Sequence, residues 1–133
     1  MKIAKEDVPV KINSAAAIAR QKTGFGDATG YGKISGEFFT LSKGTDISPL
    51  LEGLHEDKCQ CPHWGYVLDG KIKVVYANGT EETVVGGDLF YWPPGHTVIA
   101  LESSNMILFS PQDEHSHVIG HIVNKMSQSV ADS

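Results

Sequence analysis

The chain has 133 residues, 41% of them hydrophobic and 20% charged, and a formal net charge of −5. That length suits one domain, able to bury roughly two-thirds of the surface its unfolded chain would expose, and the composition argues against a disordered or low-complexity polymer. The acidic balance, with no basic cluster beyond the short Lys71 and Lys73 pair, argues against nucleic acid as a partner.

In chain order, the first 30 residues give a weak signal. Lys5, Glu6, Asp7 and Lys11 interrupt any apolar core a secretory leader would need, and no segment reaches the run of about 20 apolar residues that spans a bilayer. No membrane partner and a cytoplasmic location are therefore expected. Thr23 to Asp27 and Gly30 to Gly32 read as loop. Strands are predicted near Gly36–Ser42, Cys61–Leu68, Lys71–Ala77, Glu81–Val85, Asp88–Trp92, Thr97–Glu102 and Met106–Ser110, each rich in Val, Ile, Tyr, Phe or Thr and bounded by Gly, Pro, Asn or Asp. Asp69-Gly70 and Asn78-Gly79 are two-residue hairpin signals, so the strands flanking each are expected to pair antiparallel. Strand spacing of about 8 to 12 residues points to a sandwich or barrel. After Pro111, Val118, Ile122, Val123 and Met126 recur at helical spacing.

Two stretches carry a resemblance. Cys59-Gln-Cys-Pro-His63-Trp-Gly-Tyr66-Val-Leu-Asp-Gly70 and Gly87-Asp-Leu-Phe-Tyr-Trp-Pro93-Pro-Gly95-His96 resemble the two motifs of the cupin superfamily, with Gly70, Gly87, Pro93 and Gly95 at the family's spacing. The resemblance runs from about Gly36 to Pro111. It implies an all-β fold, a double-stranded β-helix or jelly-roll barrel with a short C-terminal α-helix: residues 1–35 as an N-terminal arm, 36–111 as the barrel and 112–133 as helix and tail. The motif Cys-x-Cys-Pro-His-Trp-Gly looks like that of a group of small single-domain bacterial cupins. Relatives in the superfamily include oxygenases, isomerases and lyases acting on small organic molecules, and small cupins often form homodimers through their sheets, which is the expected assembly.

The metal-binding pattern departs from the family's. Counting back from Gly70, His63 stands where the family has Glu, Cys59 where it has the second His and Asp57 where it has the first; in the second motif the customary His position is Val98, and His96 directly follows the Gly. On a strand, Cys59, Cys61 and His63 would share one face, and the resemblance, which implies motifs on neighbouring strands with ligands facing the interior, would bring His96 to meet them across the pocket. Two thiolates and two imidazoles favour Zn²⁺, with Fe²⁺ as second choice. A reducing cytosol keeps the two cysteines as thiols or metal thiolates, and a Cys-x-Cys disulfide would close a strained ring. Plainer readings stand beside this one: either Cys as a small buried hydrophobe, His96 as an exposed turn residue, Cys59 displaced from the strand by Pro62, and a site of Cys61, His63, His96 and water.

The tail histidines His115, His117 and His121 read as a solvated helix face, and His55 as a surface loop residue. Glu37 and Glu52 have no spacing partner that would mark an acid–base pair. Trp64 and Tyr66 are expected to point outward against another layer or subunit, with Tyr91 and Phe39 as pocket walls. Two functional classes follow: a metal enzyme with an open coordination position for a small molecule, and a binding or sensory barrel whose metal is structural or absent.

Overall fold

The computed structural model describes residues 1–28 and 30–131; Asp132 and Ser133, the last residues of the expected tail, lie outside the described residues. Alternation builds the strands. In β6 (Lys71–Tyr76) Ile72 and Val74 are buried between Lys71, Lys73 and Val75, and in β10 (Ser104–Pro111) Ser104, Met106, Leu108 and Ser110 face inward while Phe109 faces out. Together with β4 (Gly32–Leu41), β5 (His63–Asp69), β7 (Glu81–Val85), β8 (Leu89–Trp92) and β9 (His96–Ala100), these match the seven predicted strands to within a few residues at their ends.

The strands form two antiparallel sheets. The larger, which begins with β1 (Val10–Asn13) and β2 (Ala17–Lys22), is ordered β1-β2-β4-β10-β5-β8 and the smaller β7-β6-β9. Leu41, Val67, Ile72, Val74, Val84, Phe90, Trp92, Ala100, Met106 and Leu108 fill the space between them. Asn78-Gly79 closes the expected hairpin, with the Gly79 N–H donating to Tyr76 O at 2.9 Å and β6 paired to β7. Asp69-Gly70 does not: β5 pairs with β10 and β8, never with β6, so this turn carries the chain from the larger sheet to the smaller. Gly70 has φ +102°, and a Cβ there would lie 2.2 Å from Ser104 Oγ and 2.5 Å from Ser103 O. Glycine is needed because the corner packs directly on the next strand's backbone.

The N-terminal segment is also more structured than its sequence implies. β1 (Val10–Asn13) and β2 (Ala17–Lys22) extend the larger sheet, β2 pairing with β4 from Ala17↔Leu41 to Lys22↔Gly36, and the two-residue β3 (Asp27–Ala28) pairs with the start of β4. Ala-Ala-Ala-Ile-Ala-Arg has little intrinsic strand preference, so pairing with β4 supplies the order. A long connection, residues 42–62, runs from β4 to β5 through short 3-10 turns at Ser48–Leu51 and His55–Asp57.

The helix α1 (Gln112–Ala131) follows Pro111, with Asp113 and Glu114 in its first turn where they complement the helix dipole. Its buried face is His115, Val118, Ile119 and Ile122, packed with Ile12, Ala19, Leu51, Cys59 and Cys61 into a second apolar cluster that closes one end of the barrel. Val123, expected on that face, is 38% exposed. The helix is not long and apolar enough to cross a membrane, nor is any other among the described residues.

Candidate metal centre

Where the barrel meets the helix, Cys59, His63 and His96 converge. Their ligand atoms all lie within 4.8 Å of one another and all three side chains are buried. The expectation that Cys59, Cys61 and His63 share one strand face fails in an informative way. β5 begins only at His63, after Pro62, and Cys59 belongs to no strand; it is pinned to the start of β9, its N–H donating to His96 O at 2.8 Å and its carbonyl accepting from Gly95 N–H at 2.8 Å. Backbone pairing across the two motifs therefore brings Cys59 to His96. His63 reaches the same place as the first inward residue of β5.

Because residues 59–62 are not a continuous strand, Cys61 does not share the face of Cys59 and His63. It lies outside the converging group, with its Sγ 3.4 Å from Pro62 O and 3.8 Å from Pro111 O, and it lines a separate groove with His55, Asp113 and His117. Neither cysteine forms a disulfide. Val98, two residues after His96 on the same face of β9, lines the same cavity as His96.

Hydrogen bonds orient the imidazoles. His96 Nδ1–H donates to Pro93 O at 2.7 Å, which leaves Nε2 with its lone pair. Ser110 Oγ donates its single proton to Glu37 Oε1 at 2.7 Å, so at 2.7 Å from His63 Nδ1 it must accept, again leaving Nε2 free. That Nε2 is 3.6 Å from Cys59 Sγ. A ring N–H tied to an oxygen acceptor, with the other nitrogen bare, is how protein metal sites fix the tautomer of a ligating histidine.

Two residues dismissed at the sequence level belong to this region. His115 is buried, stacks on Phe39 with ring centroids 5.6 Å apart, and lies 4.3 Å from the His63 ring. Its Nδ1 bonds Glu37 Oε2, and Glu37, 1% exposed, also accepts from Ser35 Oγ at 2.9 Å and Gln21 Nε2 at 3.2 Å. Glu37 thus braces His115 directly and His63 through Ser110. The helical period contained a usable signal: His115 is three residues before Val118 and seven before Ile122, on the apolar face. Its partner, 78 residues earlier, had none. His117 is exposed, as expected, and His121 is partly buried, its Nε2 donating to Glu52 O at 2.7 Å.

Burial sets the protonation states. Desolvation, followed by the nearby His115 and His96, pushes His63 well below the usual histidine range; desolvation lowers His96 to about 4, with the Pro93 carbonyl acting against it. Both are neutral and able to ligate at neutral pH. Desolvation raises the Cys59 thiol to about 12, and burial raises Cys61 in the same direction. The group faces a cavity of about 90 Å³ lined by Phe39, Leu51, Val118 and Ile122 among others, with Trp92 beside the imidazoles. Phe39 is a wall of this cavity as expected; Tyr91 is not, being half exposed on the outer face of β8 and stacked on Trp64.

No protein-family model and no curated protein matches the sequence. Solved structures do match the fold: an RmlC-like cupin from Shewanella frigidimarina superposes with a TM-score of 0.57 over 82% of this chain and 88% of that one, at 18% identity. This chain has the cupin fold. A polyketide cyclase from Streptomyces resistomycificus matches with a TM-score of 0.58 at 19% identity, over 84% of this chain and 78% of that one. A variant of oxalate decarboxylase from Bacillus subtilis matches at 0.60 and 22%, covering 82% of this chain, which spans only 28% of that cupin's length. Cupin neighbours therefore include enzymes. At these identities the likeness extends to the barrel and its jelly-roll connections; the Cys and His positions rest on the geometry above.

Proposed function

We propose that this cupin binds one zinc ion per chain through Cys59, His63 and His96, and uses the remaining coordination position to engage a small organic molecule held in the apolar cavity. The observation that carries this reading is the convergence of one sulfur and two correctly oriented imidazoles, all buried, at the wall of that cavity. The donor set fits: borderline-soft Zn²⁺ takes thiolate and imidazole ligands, and three protein ligands with one open position mark catalytic rather than structural zinc sites. Iron is the second candidate. Bound there, the metal would act as a Lewis acid on an oxygen of the guest. The protein's own part is to keep His63 and His96 neutral and fixed in tautomer, to hold the Cys59 sulfur against them and to exclude water with apolar walls.

A closed, non-catalytic site is the second reading, favoured by the proximity of His115 to His63. Elemental analysis of the purified protein, followed by cobalt substitution, separates the two. About one metal per chain and a cobalt spectrum that changes on adding azide support the open site; a full metal complement indifferent to azide supports the closed one. His63→Ala is expected to remove most of the metal and His117→Ala none of it, and unchanged content in His63→Ala would overturn the ligand assignment.

The same reading includes a homodimer and a cytoplasmic location. Two buried free thiols suit a reducing compartment. On the outer face of the larger sheet the cross-strand pairs Trp64↔Tyr91, Tyr66↔Leu89 and Phe109↔Trp64 leave a contiguous exposed apolar patch beside the edge strand β8, of the kind a second copy would cover.

A further inference from the structure

His115 is placed like a residue that meets a ligand. It is 3% exposed, its ring stacks on Phe39 and lies 4.3 Å from the ring of His63, and it lines the cavity. Glu37 holds Nδ1; since an ionised carboxylate only accepts, the neutral ring carries its proton there and Nε2 keeps a lone pair. No described residue hydrogen-bonds to Nε2. Nor is that atom sealed in: among the described residues, the one inaccessible side-chain nitrogen or oxygen without a partner is Trp92 Nε1. His115 Nε2 therefore opens on free space, and the space that His115 borders is the cavity. Glu37 is itself held by Gln21, Ser35 and Ser110, so the imidazole cannot turn without breaking a buried network. Packing alone does not ask for this. Val118, Ile119 and Ile122 fill the same helix face with hydrocarbon, whereas position 115 carries a polar ring with a buried carboxylate behind it. A buried polar atom left without a protein partner points to a ligand that completes it.

His115 is not a fourth protein ligand. Cys59, His63 and His96 gather within 4.8 Å of one another, and on that scale His115 gathers only with His63 and Glu37. It stands beside the metal position rather than in it. We propose that His115 Nε2 accepts a hydrogen bond from the guest, from a hydroxyl or N–H on the guest atom that meets the metal or on the atom next to it, with Glu37 fixing the tautomer from behind. The contact deepens the metal reading above and rests on it for the guest's other point of attachment. It names a class of guest: α-hydroxy carbonyl compounds, vicinal diols and azoles with adjacent nitrogens all place a donor beside a metal-binding atom. A molecule that offers the metal an atom with no neighbouring donor leaves Nε2 unsatisfied and binds more weakly.

Two azoles of similar shape and basicity test the contact. Pyrazole presents a metal-binding nitrogen with an N–H beside it, and thiazole a metal-binding nitrogen with no donor. Each is titrated into the cobalt-substituted full-length chain, where the visible spectrum reports occupancy of the open position. Pyrazole is expected to bind about tenfold more tightly than thiazole, and His115→Phe to abolish that difference by weakening pyrazole alone, the loss of one hydrogen bond. Nitrogen-15 spectra of histidine-labelled wild-type protein give a check that needs no variant. His115 is expected to carry its proton on Nδ1 and to show an unprotonated Nε2 whose signal moves with pyrazole and much less with thiazole. A proton found on Nε2, equal wild-type affinities for the two azoles, or an equal loss of both in His115→Phe overturns the inference and leaves the metal reading standing. Failure to take up cobalt removes the metal reading; in that metal-free protein an Nε2 signal that still answers pyrazole and not thiazole keeps His115 as the guest's acceptor, and a silent one removes both.

Discussion

Cys59 is the one member of the converging trio with a proton to lose. Burial holds its thiol at about 12 while His63 and His96 are already neutral, so zinc uptake near neutral pH should release about one proton per ion and affinity should rise about tenfold per pH unit. Competition against a chromophoric chelator between about pH 6.5 and 8 measures that slope, and Cys59→Ser is expected to flatten it as well as weaken binding. Glu37 allows a second test. Four donors surround its carboxylate, and Glu37→Gln replaces one acceptor oxygen with a donor, so urea denaturation should show a loss of about 1–3 kcal/mol. His63 and Cys59 were legible because motif spacing singles them out. The burial of His115 could be read from the helical period, but Glu37 and the bond between them could not, since nothing local in either segment encodes a hydrogen bond across 78 residues.

At the scale of elements, two similar dipeptides behave differently. Asn78-Gly79 joins paired strands and Asp69-Gly70 joins unpaired ones. Both glycines have positive φ, +85° and +102°, but only Gly70 packs against backbone, whereas nothing lies within 4 Å of a Cβ at Gly79. Gly79→Ala should therefore cost about 1 kcal/mol of left-handed strain, and Gly70→Ala clearly more, because Ser103 and Ser104 would have to move. Thermal unfolding of the two variants side by side checks the order; equal losses would mean that the corner is not tightly packed. Turn chemistry alone announces a reversal of the chain and is silent on whether the next strand stays in its sheet. The same limit applies to β1 and β2, whose residues have weak strand preference and are ordered by β4.

For the whole molecule, acid is the revealing variable. Below the ordinary histidine value of 6.5 the unfolded chain takes up protons that His63 and His96 refuse in the fold, so the metal-free protein loses stability as pH falls from 6.5 toward about 4. At about pH 5 His96 should have withdrawn about 2 kcal/mol relative to pH 7, with His63 adding a loss in the same direction; denaturant midpoints of metal-free protein that stay level across that range would show that the histidines are reached by water. The exposed patch around Trp64 makes the remaining prediction: light scattering should give a dimer mass, and Trp64→Lys should lower it toward the monomer without changing metal content. Sequence by itself determined seven of the ten described strand segments, the barrel class and the neighbourhood of Cys59, His63 and His96, because alternation, turn residues and motif spacing are local properties written in consecutive positions. Tertiary structure decided that Cys61 stands aside and that His115 and Glu37 brace the site, because each depends on which distant strands and which helix face are packed together, and local pattern does not specify that.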